Sequence, residues 1–179
     1  MKTTEILIAG FGGQGILFSG KFLAYKGLLE DLQVSWLPSY GPEMRGGTAN
    51  CNIILSDNPV GSPIITAPNV LIAMNLPSLE KYVDTVVAGG QIYVDSSLID
   101  LKVARDDVDV FYIPATQMAK DEGISSLANM IIVGHLLENH PELSFDGADA
   151  VVEKLVPPKK AALKELNMKA LGLGKNYNK

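Results

Sequence analysis

The glycine-rich stretch near the start of the chain constrains the fold most strongly. A short apolar run, Ile6 to Ala9, has the composition of a buried strand, and residues 10–15 that follow read Gly-Phe-Gly-Gly-Gln-Gly. Residues 16–30 then have the composition of a helix. Strand, glycine turn and helix in this order begin a doubly wound α/β domain. The glycines also match G-x-G-x-x-G, a turn that lets a pyrophosphate approach the free N–H groups at the start of the helix.

The neighbouring sequence does not support two common kinds of nucleotide site. An NAD site needs an acidic residue about 20 residues after the turn, at the end of the second strand. That strand, residues 33–37, is followed by Pro-Ser-Tyr. Residues 15–21 match the first half of a P-loop, but Phe22 stands where a metal-binding Ser or Thr is required. Two interpretations remain open: the turn binds another pyrophosphate group, or it only lets the helix pack close to the sheet.

Apolar runs and helical patterns alternate along the rest of the chain. Further strands are predicted at residues 33–37, 48–56, 70–74, 91–95 and 108–113, and helices at residues 77–87, 115–121, 128–137, 146–155 and 159–171. Ser125 or Ser126 is expected to cap the third of these helices, because serine side chains accept bonds from free N–H groups. Gly172 and Gly174 are expected to end the last helix.

The order of these elements indicates the fold class. Consecutive strand-to-strand connections predict a mixed sheet, while the strand-helix units predict parallel pairs. The expected fold is a three-layer α/β/α sandwich with a mostly parallel or mixed sheet and a Rossmann-like first βα unit. We expect one domain over residues 1–179, with a basic C-terminal helix at residues 158–172.

The charge of the chain is unevenly distributed. Residues 1–153 carry 8 basic and 19 acidic residues, whereas residues 154–179 carry 7 lysines and 1 glutamate. The acidic body argues against nucleic acid as a main partner. The basic segment is interpreted as a solvated helix face, with docking to an acidic subunit or attraction of a phosphorylated ligand as alternatives. The sequence has neither a long apolar run nor a secretory signal pattern, so we expect a cytoplasmic protein without a membrane partner.

Residues suited to catalysis or metal binding are scarce. Cys51 is the one cysteine, and an iron–sulfur cluster needs about four. His135 lies in an apolar helix and is interpreted as a packed or surface residue, and His140 has no Cys or His partner at metal spacing. Asp95, at a predicted strand end, is expected to cap a turn rather than contact a ligand. We therefore expect no catalytic residue and no metal ligand, and the pattern indicates a ligand-binding or assembly subunit.

The segment after the second strand is a shaped loop. Residues 38–48 contain three glycines and two prolines, which disfavour both helix and strand. Because ligands of open α/β sheets lie outside the carboxyl ends of the strands, we expect this loop near the glycine turn. Arg45 has the geometry to hold a phosphate or carboxylate in a bidentate manner. An ion pair between Arg45 and Glu43 is the structural alternative.

Two motifs together resemble a known family. The glycine turn at residues 10–15 and the sequence Tyr-Gly-Pro-Glu-Met-Arg-Gly-Gly-Thr at residues 40–48 are similar to the two signatures of the gamma subunit of 2-oxoacid:ferredoxin oxidoreductases. Residues 69–75 and 89–97 are also similar to that family. The resemblance covers about residues 4–155, and the spacing of the two motifs makes it specific.

The resemblance implies an activity and an assembly. The family converts a 2-oxoacid and coenzyme A into acyl-CoA and carbon dioxide, and reduces ferredoxin. Thiamine diphosphate, Mg²⁺ and iron–sulfur clusters are held by partners, which are thiamine-binding alpha and beta subunits and an iron–sulfur subunit. The implied coenzyme A contacts are Gly10, Gly12, Gly13, Gln14 and Gly15. The implied wall towards the neighbouring subunit and the acyl-transfer site is formed by Tyr40, Gly41, Pro42, Glu43, Arg45, Gly46 and Gly47.

The oxoacid is left open by the sequence. A compact gamma chain without fused ferredoxin cysteines is similar to those of 2-oxoglutarate enzymes, while pyruvate and branched-chain or aryl oxoacids remain alternatives. Two hypotheses from other functional classes also remain open. One is a stand-alone NAD(P)-dependent oxidoreductase, and the other is a nucleotide-sensing or scaffold module without enzymatic work.

Overall fold

The structure is a computed structural model that describes residues 3–39 and 48–178. The strands of this part are β1 (Thr4–Phe11), β2 (Gln33–Pro38), β3 (Thr48–Ser56), β4 (Val70–Ala73), β5 (Gln91–Asp95) and β6 (Asp109–Ile113). The helices are α1 (Ile16–Leu29), α2 (Leu76–Tyr82), α3 (Ala115–Asp121), α4 (Ala128–Asn139), α5 (Ala148–Leu155) and α6 (Ala161–Lys175). Short 3₁₀ turns occur at Val83–Thr85, Ser125–Leu127 and Pro158–Lys160. Within these ranges no helix is long and apolar enough to cross a membrane.

The strands form one mixed sheet in the order β2-β3-β1-β4-β5-β6. β1 pairs in parallel with β4, β4 with β5, and β5 with β6. β3 is antiparallel to both of its neighbours, β1 and β2. The predicted mixed sheet is therefore confirmed.

Helices cover both faces of the sheet. Alternate side chains of β1 point to opposite faces, as the strand period of two requires. Ile6 and Ile8 are buried in the larger core, which includes residues of α1, α4, α5 and α6, while Leu7 belongs to a smaller core with Leu79 of α2. The expected three-layer α/β/α sandwich is confirmed, with a thick helical layer on one face and a thin one on the other.

Helices α4 and α6 cross at backbone contact. A Cβ atom on Gly134 of α4 would collide with the carbonyl oxygen of Leu171, and one on Gly174 of α6 would collide with the carbonyl oxygen of Ile131. At the same crossing His135 Nδ1 bonds the carbonyl oxygen of Gly174 at 3.0 Å. Because a carbonyl can only accept, the proton lies on Nδ1. His135 is 5% exposed, so the first of its two predicted roles, a packed residue, is confirmed, and this burial lowers its pKa.

The prediction that Gly172 and Gly174 end the last helix is wrong. α6 continues to Lys175, and Gly174 lies inside it. Glycine is disfavoured within a helix by about 1 kcal/mol, and this makes it a common stop signal. At Gly174 the missing side chain instead permits the close crossing with α4.

The lysines of α6 face acidic groups of the body. Within the described residues, three ion pairs join α6 to the rest of the chain: Lys164 with Glu153 at 2.8 Å, Lys169 with Glu122 at 2.6 Å, and Lys175 with Glu138 at 4.0 Å. Pairs of this exposed kind contribute about 0–1 kcal/mol each. Part of the positive charge of the basic segment is therefore paired with acidic residues of the same chain. Lys159 and Lys160, by contrast, are exposed.

Other helix limits also differ from the sequence-based prediction. α4 ends at Asn139 rather than at residue 137, and α6 begins at Ala161 rather than at residue 159. The helix predicted over residues 146–155 begins at Ala148, because Gly147 before it takes a left-handed conformation with φ of 75°. The helix predicted over residues 77–87 ends at Tyr82 and continues as a 3₁₀ turn. None of these differences changes the order of the elements.

We predict that Gly174→Ala lowers the free energy of unfolding by about 2–4 kcal/mol, because the new methyl group collides with the backbone of α4. The matched control is Gly172→Ala in the same helix, where a Cβ meets no atom within 4 Å. That control should stabilise by about 0.5–1 kcal/mol through helix propensity. Urea unfolding of both variants measures the difference, and equal effects would contradict the crossing as described.

Candidate functional site

The glycine turn lies at the carboxyl end of β1 and leads directly into α1. Gly13 and Gly15 have φ of 95° and 77°, a left-handed conformation that glycine adopts without strain. Gly15 is the residue that precedes the first turn of α1. Gly12 and Gly13 are exposed. The turn thus brings accessible backbone to the start of a helix of 14 residues.

The side chain of Gln14 holds the turn to the neighbouring strand. Its Oε1 accepts a hydrogen bond from the backbone N–H of Phe11 at 2.6 Å, and its Nε2 donates to the carbonyl oxygen of Met74 at 2.9 Å. Gly10 makes room for this amide, since a Cβ there would lie 2.6 Å from Gln14 Oε1. Gly10 and Gln14 therefore have internal contacts, and the ligand contact predicted for them stays a prediction.

The position of Gln14 limits where a ligand can bind. β1 is followed by α1 on one face of the sheet, and β4 is followed by α2 on the other, which makes the gap between these strands a topological switch point. Dinucleotides bind in the crevice at such a point. Here the Gln14 amide spans from the turn after β1 to the end of β4. The geometry therefore disfavours an NAD-like pose, in agreement with the missing acidic residue after β2.

A cavity of about 260 Å³ remains on the α1 side of the turn. It is lined by Phe11, Gly12, Gly13, Gly15, Ile16, Leu17, Phe18 and Ala49. The first turn of α1 carries no acidic side chain, so nothing in that turn opposes an anion. The first N–H groups of a helix have no partner within the helix and favour negative charge. The site has the chemistry for an anionic group that is joined to an apolar one.

A smaller cavity of about 190 Å³ lies on the other side of the turn. Ser125 and Ser126 line it, and they form a 3₁₀ turn before α4 in which no side-chain capping bond is made. The predicted capping role of these serines is therefore wrong. The reason is that the 3₁₀ turn already bonds Leu127 N–H to the carbonyl oxygen of Ile124 at 2.8 Å.

Asp95 has the capping role that was predicted. Its carboxylate is fully buried and accepts bonds from Ser97 N–H at 3.1 Å, Thr116 N–H at 3.3 Å and Thr116 Oγ1 at 2.6 Å. These bonds tie the turn after β5 to the first turn of α3. Asp95 thus shapes the carboxyl edge of the sheet from within.

The sequence-based prediction missed Asn129, which contacts the turn from behind. Its Nδ2 donates to the carbonyl oxygen of Gly15 at 3.1 Å and to Ser19 Oγ at 2.9 Å. The signal in the sequence was an asparagine in the apolar run of α4, since a buried amide requires hydrogen-bond partners.

The residues that were predicted to form the wall towards the neighbouring subunit have no described position. Tyr40, Gly41, Pro42, Glu43, Arg45, Gly46 and Gly47 all lie outside the described residues. Their proposed interface role, and the ion pair between Glu43 and Arg45, stay predictions.

The cysteine and histidines do not assemble into a reactive centre in the described part of the chain. Cys51 is buried against α1, and burial raises the pKa of its thiol to about 12. Burial also lowers the pKa of His140. Among residues 3–39 and 48–178, no three His, Cys, Asp or Glu side chains group in a way that would hold a metal ion.

Comparison with known protein families gives one match over nearly the whole chain. Residues 5–177 match the family described as pyruvate ferredoxin/flavodoxin oxidoreductase. The 2-oxoglutarate synthase subunit KorC of Methanothermobacter marburgensis is 34% identical over 178 residues, which cover 96% of this chain and 94% of KorC. The ketoisovalerate oxidoreductase subunit VorA of Methanothermobacter thermautotrophicus is 40% identical over 133 residues, 74% of this chain. That match spans only 28% of VorA.

Two solved structures are similar in fold and sequence. The keto/oxoacid ferredoxin oxidoreductase gamma subunit from Geobacter sulfurreducens has a TM-score of 0.81 and 29% identity, covering 96% of this chain and 95% of that one. The 2-oxoglutarate:ferredoxin oxidoreductase from Magnetococcus marinus, with 2-oxoglutarate, coenzyme A and succinyl-CoA bound, has a TM-score of 0.86 and 26% identity. The match covers 98% of this chain and 31% of that chain.

We predict that Gln14→Leu lowers the free energy of unfolding by about 1–3 kcal/mol, because it leaves Phe11 N–H and the Met74 carbonyl without the amide. Gln117→Leu is the matched control, since its Nε2 bonds Asp121 on the surface. The control should change stability by less than about 0.5 kcal/mol. Thermal and urea unfolding test this, and an equally mild effect at Gln14 would disprove its bridging role.

Proposed function

Because the chain belongs to the pyruvate ferredoxin/flavodoxin oxidoreductase family, we propose that it is the gamma subunit of a coenzyme A-dependent 2-oxoacid:ferredoxin oxidoreductase. The complex would convert a 2-oxoacid, coenzyme A and oxidised ferredoxin into acyl-CoA, carbon dioxide and reduced ferredoxin. The observation that carries this proposal is the similarity to KorC over 94% of the length of KorC.

We propose 2-oxoglutarate as the oxoacid, with a branched-chain oxoacid as the second candidate. KorC, which matches from end to end, is named a 2-oxoglutarate synthase subunit. VorA is more identical, at 40%, but the chain spans only about a quarter of its length. The comparison over the whole subunit therefore weighs more than the one over part of a longer chain.

The redox cofactors are assigned to partner subunits. Thiamine diphosphate and Mg²⁺ would be held by the alpha and beta subunits, and the clusters by an iron–sulfur subunit, with ferredoxin as acceptor. An iron–sulfur cluster needs about four thiolates. This chain has one cysteine, and burial keeps Cys51 in its thiol form by raising its pKa to about 12. The gamma subunit then contributes to coenzyme A binding and to assembly, in the cytoplasm.

The glycine turn is proposed to hold the pyrophosphate of coenzyme A. The exposed backbone of Gly12 and Gly13, together with the first N–H groups of α1, would bind the anion. Gly15 allows the turn, while Gly10 and Gln14 keep it against β4. The apolar cavity beside the turn would receive a neighbouring part of the coenzyme. Residues 40–47 would face the partner subunit and the acyl-transfer site.

We predict that Gly12→Asp raises the apparent KM for coenzyme A at least about tenfold in the purified complex, a cost of about 1.4 kcal/mol. The cause is repulsion between the new carboxylate and the pyrophosphate. Gly61→Asp is the matched control, because a Cβ at Gly61 meets no atom within 4 Å and this exposed residue lies beside Thr3 and Glu5, at the end of β1 opposite to the turn. Steady-state kinetics, with gel filtration to verify assembly, distinguish the two. Normal coenzyme A dependence in an intact Gly12→Asp complex would exclude the turn as the site.

The subunit assignment itself is tested by anaerobic affinity purification of the tagged chain from its own cells. We expect thiamine-binding and cysteine-rich chains to co-elute, and the eluate to reduce ferredoxin with 2-oxoglutarate faster than with pyruvate or 2-ketoisovalerate. If the chain elutes alone, and NAD(H) but not coenzyme A quenches the fluorescence of Trp36, a stand-alone oxidoreductase replaces this proposal.

A further inference from the structure

Asn129 connects the helix α4 to the glycine turn across the interior of the protein. Its side chain is 3% exposed. Its two amide hydrogens are both used, one by the carbonyl oxygen of Gly15 and one by Ser19 Oγ. A Cβ on Gly15 would lie 2.5 Å from Asn129 Nδ2, so glycine at this position also makes room for the amide.

Two bonds fix the direction of the peptide group between Gly15 and Ile16. The backbone N–H of Ser19, at 3.0 Å, and Asn129 Nδ2, at 3.1 Å, both donate to the carbonyl oxygen of Gly15, so Asn129 reinforces the first bond of α1. The carbonyl of Gly15 and the N–H of Ile16 belong to one planar trans peptide, in which they point in opposite directions. Asn129 holds the carbonyl on the inner side, towards α4. The Ile16 N–H therefore points opposite to that carbonyl, and Gly15 and Ile16 both line the 260 Å³ cavity.

Helix α4 is a rigid base for this bond. Its residues from Ala128 to Leu137 are buried, and the crossing at Gly134 brings its backbone into contact with α6. Ser19, the second acceptor, is 1% exposed in the first turns of α1. The amide thus ties α1 to an element with little freedom to shift.

We propose that Asn129 is a positioning residue for the coenzyme site, which acts through Gly15 by aiming the Ile16 N–H at the bound anion. This inference rests on the proposed function of the glycine turn. Asn129 contacts no ligand in this role. Its loss therefore weakens coenzyme A binding and leaves the chemistry on the partner subunits unchanged.

The test is Asn129→Leu in the complete enzyme complex. The apparent KM for coenzyme A should rise about tenfold, since the lost orientation is comparable to one hydrogen bond of about 1.4 kcal/mol. The kcat at saturating coenzyme A and the KM for 2-oxoglutarate should stay within about twofold. Hydrogen exchange of the peptide that contains residues 15–19 should become faster in the variant.

Asn167→Leu is the matched control. Asn167 is also 3% exposed and its Nδ2 also donates to a carbonyl, that of Leu163 in its own helix α6. Asn129 Oδ1 and Asn167 Oδ1 both have no hydrogen-bond partner within the described residues. Both variants should lose similar stability, and only Asn129→Leu should change the KM for coenzyme A. An equal change in both variants, or in neither, overturns the inference.

Two further variants keep the result interpretable. If Asn129→Leu does not fold, the isosteric Asn129→Asp removes the donor, and Ser19→Ala removes one of its two acceptors. Each should raise the KM for coenzyme A, and no change in both overturns the inference. Gly12→Asp distinguishes failure of the positioning role from failure of the proposed coenzyme site. If it raises this KM while the Asn129 variants do not, only the positioning role fails. If none of them changes it, the glycine turn is not the coenzyme site.

Discussion

The contact between the backbones of α4 and α6 is the constraint on which the geometry of the glycine turn depends. Gly134 and Gly174 let the two helices approach so closely that a carbonyl oxygen of the other helix lies where a Cβ atom at each glycine position would be. This contact holds α4 in the core, and Asn129 at its start then holds Gly15, which lies 114 residues earlier in the chain. The shape of the turn therefore depends in part on packing between elements from the second half of the sequence, in addition to the bonds of Gln14 to Phe11 and Met74.

The sequence predicts the framework well because strands and their connections leave local signals. The apolar runs and the direct connections between strands are enough to predict the mixed sheet. Glycine is ambiguous, because it marks a left-handed turn at Gly13, room for a side chain at Gly10, and a close helix crossing at Gly174. At Gly174 the local sequence predicts a helix end, and that prediction is wrong. The partner of Gln14, the carbonyl of Met74, is 60 residues away, and no local pattern indicates such a bond.

The Gln14 amide separates this fold from nucleotide-binding domains with the same first unit. Strand, glycine turn and helix are shared, but a side chain of the protein spans the switch point where a dinucleotide would lie. The accessible backbone of the turn is left on the α1 side, beside apolar side chains. Glycine motifs of similar sequence can thus leave different sides of the turn accessible. Regions similar to this chain also occur within longer chains, since the matches span 28% of VorA and 31% of the Magnetococcus marinus chain.

The charge of α6 has a consequence for how the domain assembles during synthesis. α6 is made after every element that it contacts, so the groove on α4 that contains Gly134 and His135 stays uncovered until then. The body is acidic by that stage and the arriving segment is basic. Opposite charges attract over a distance of about one Debye length, roughly 8–10 Å, before apolar surfaces meet. The lysines that pair with Glu122, Glu138 and Glu153 therefore carry the charge that would draw α6 towards the surface it covers, before Gly174 and Gly134 come into contact.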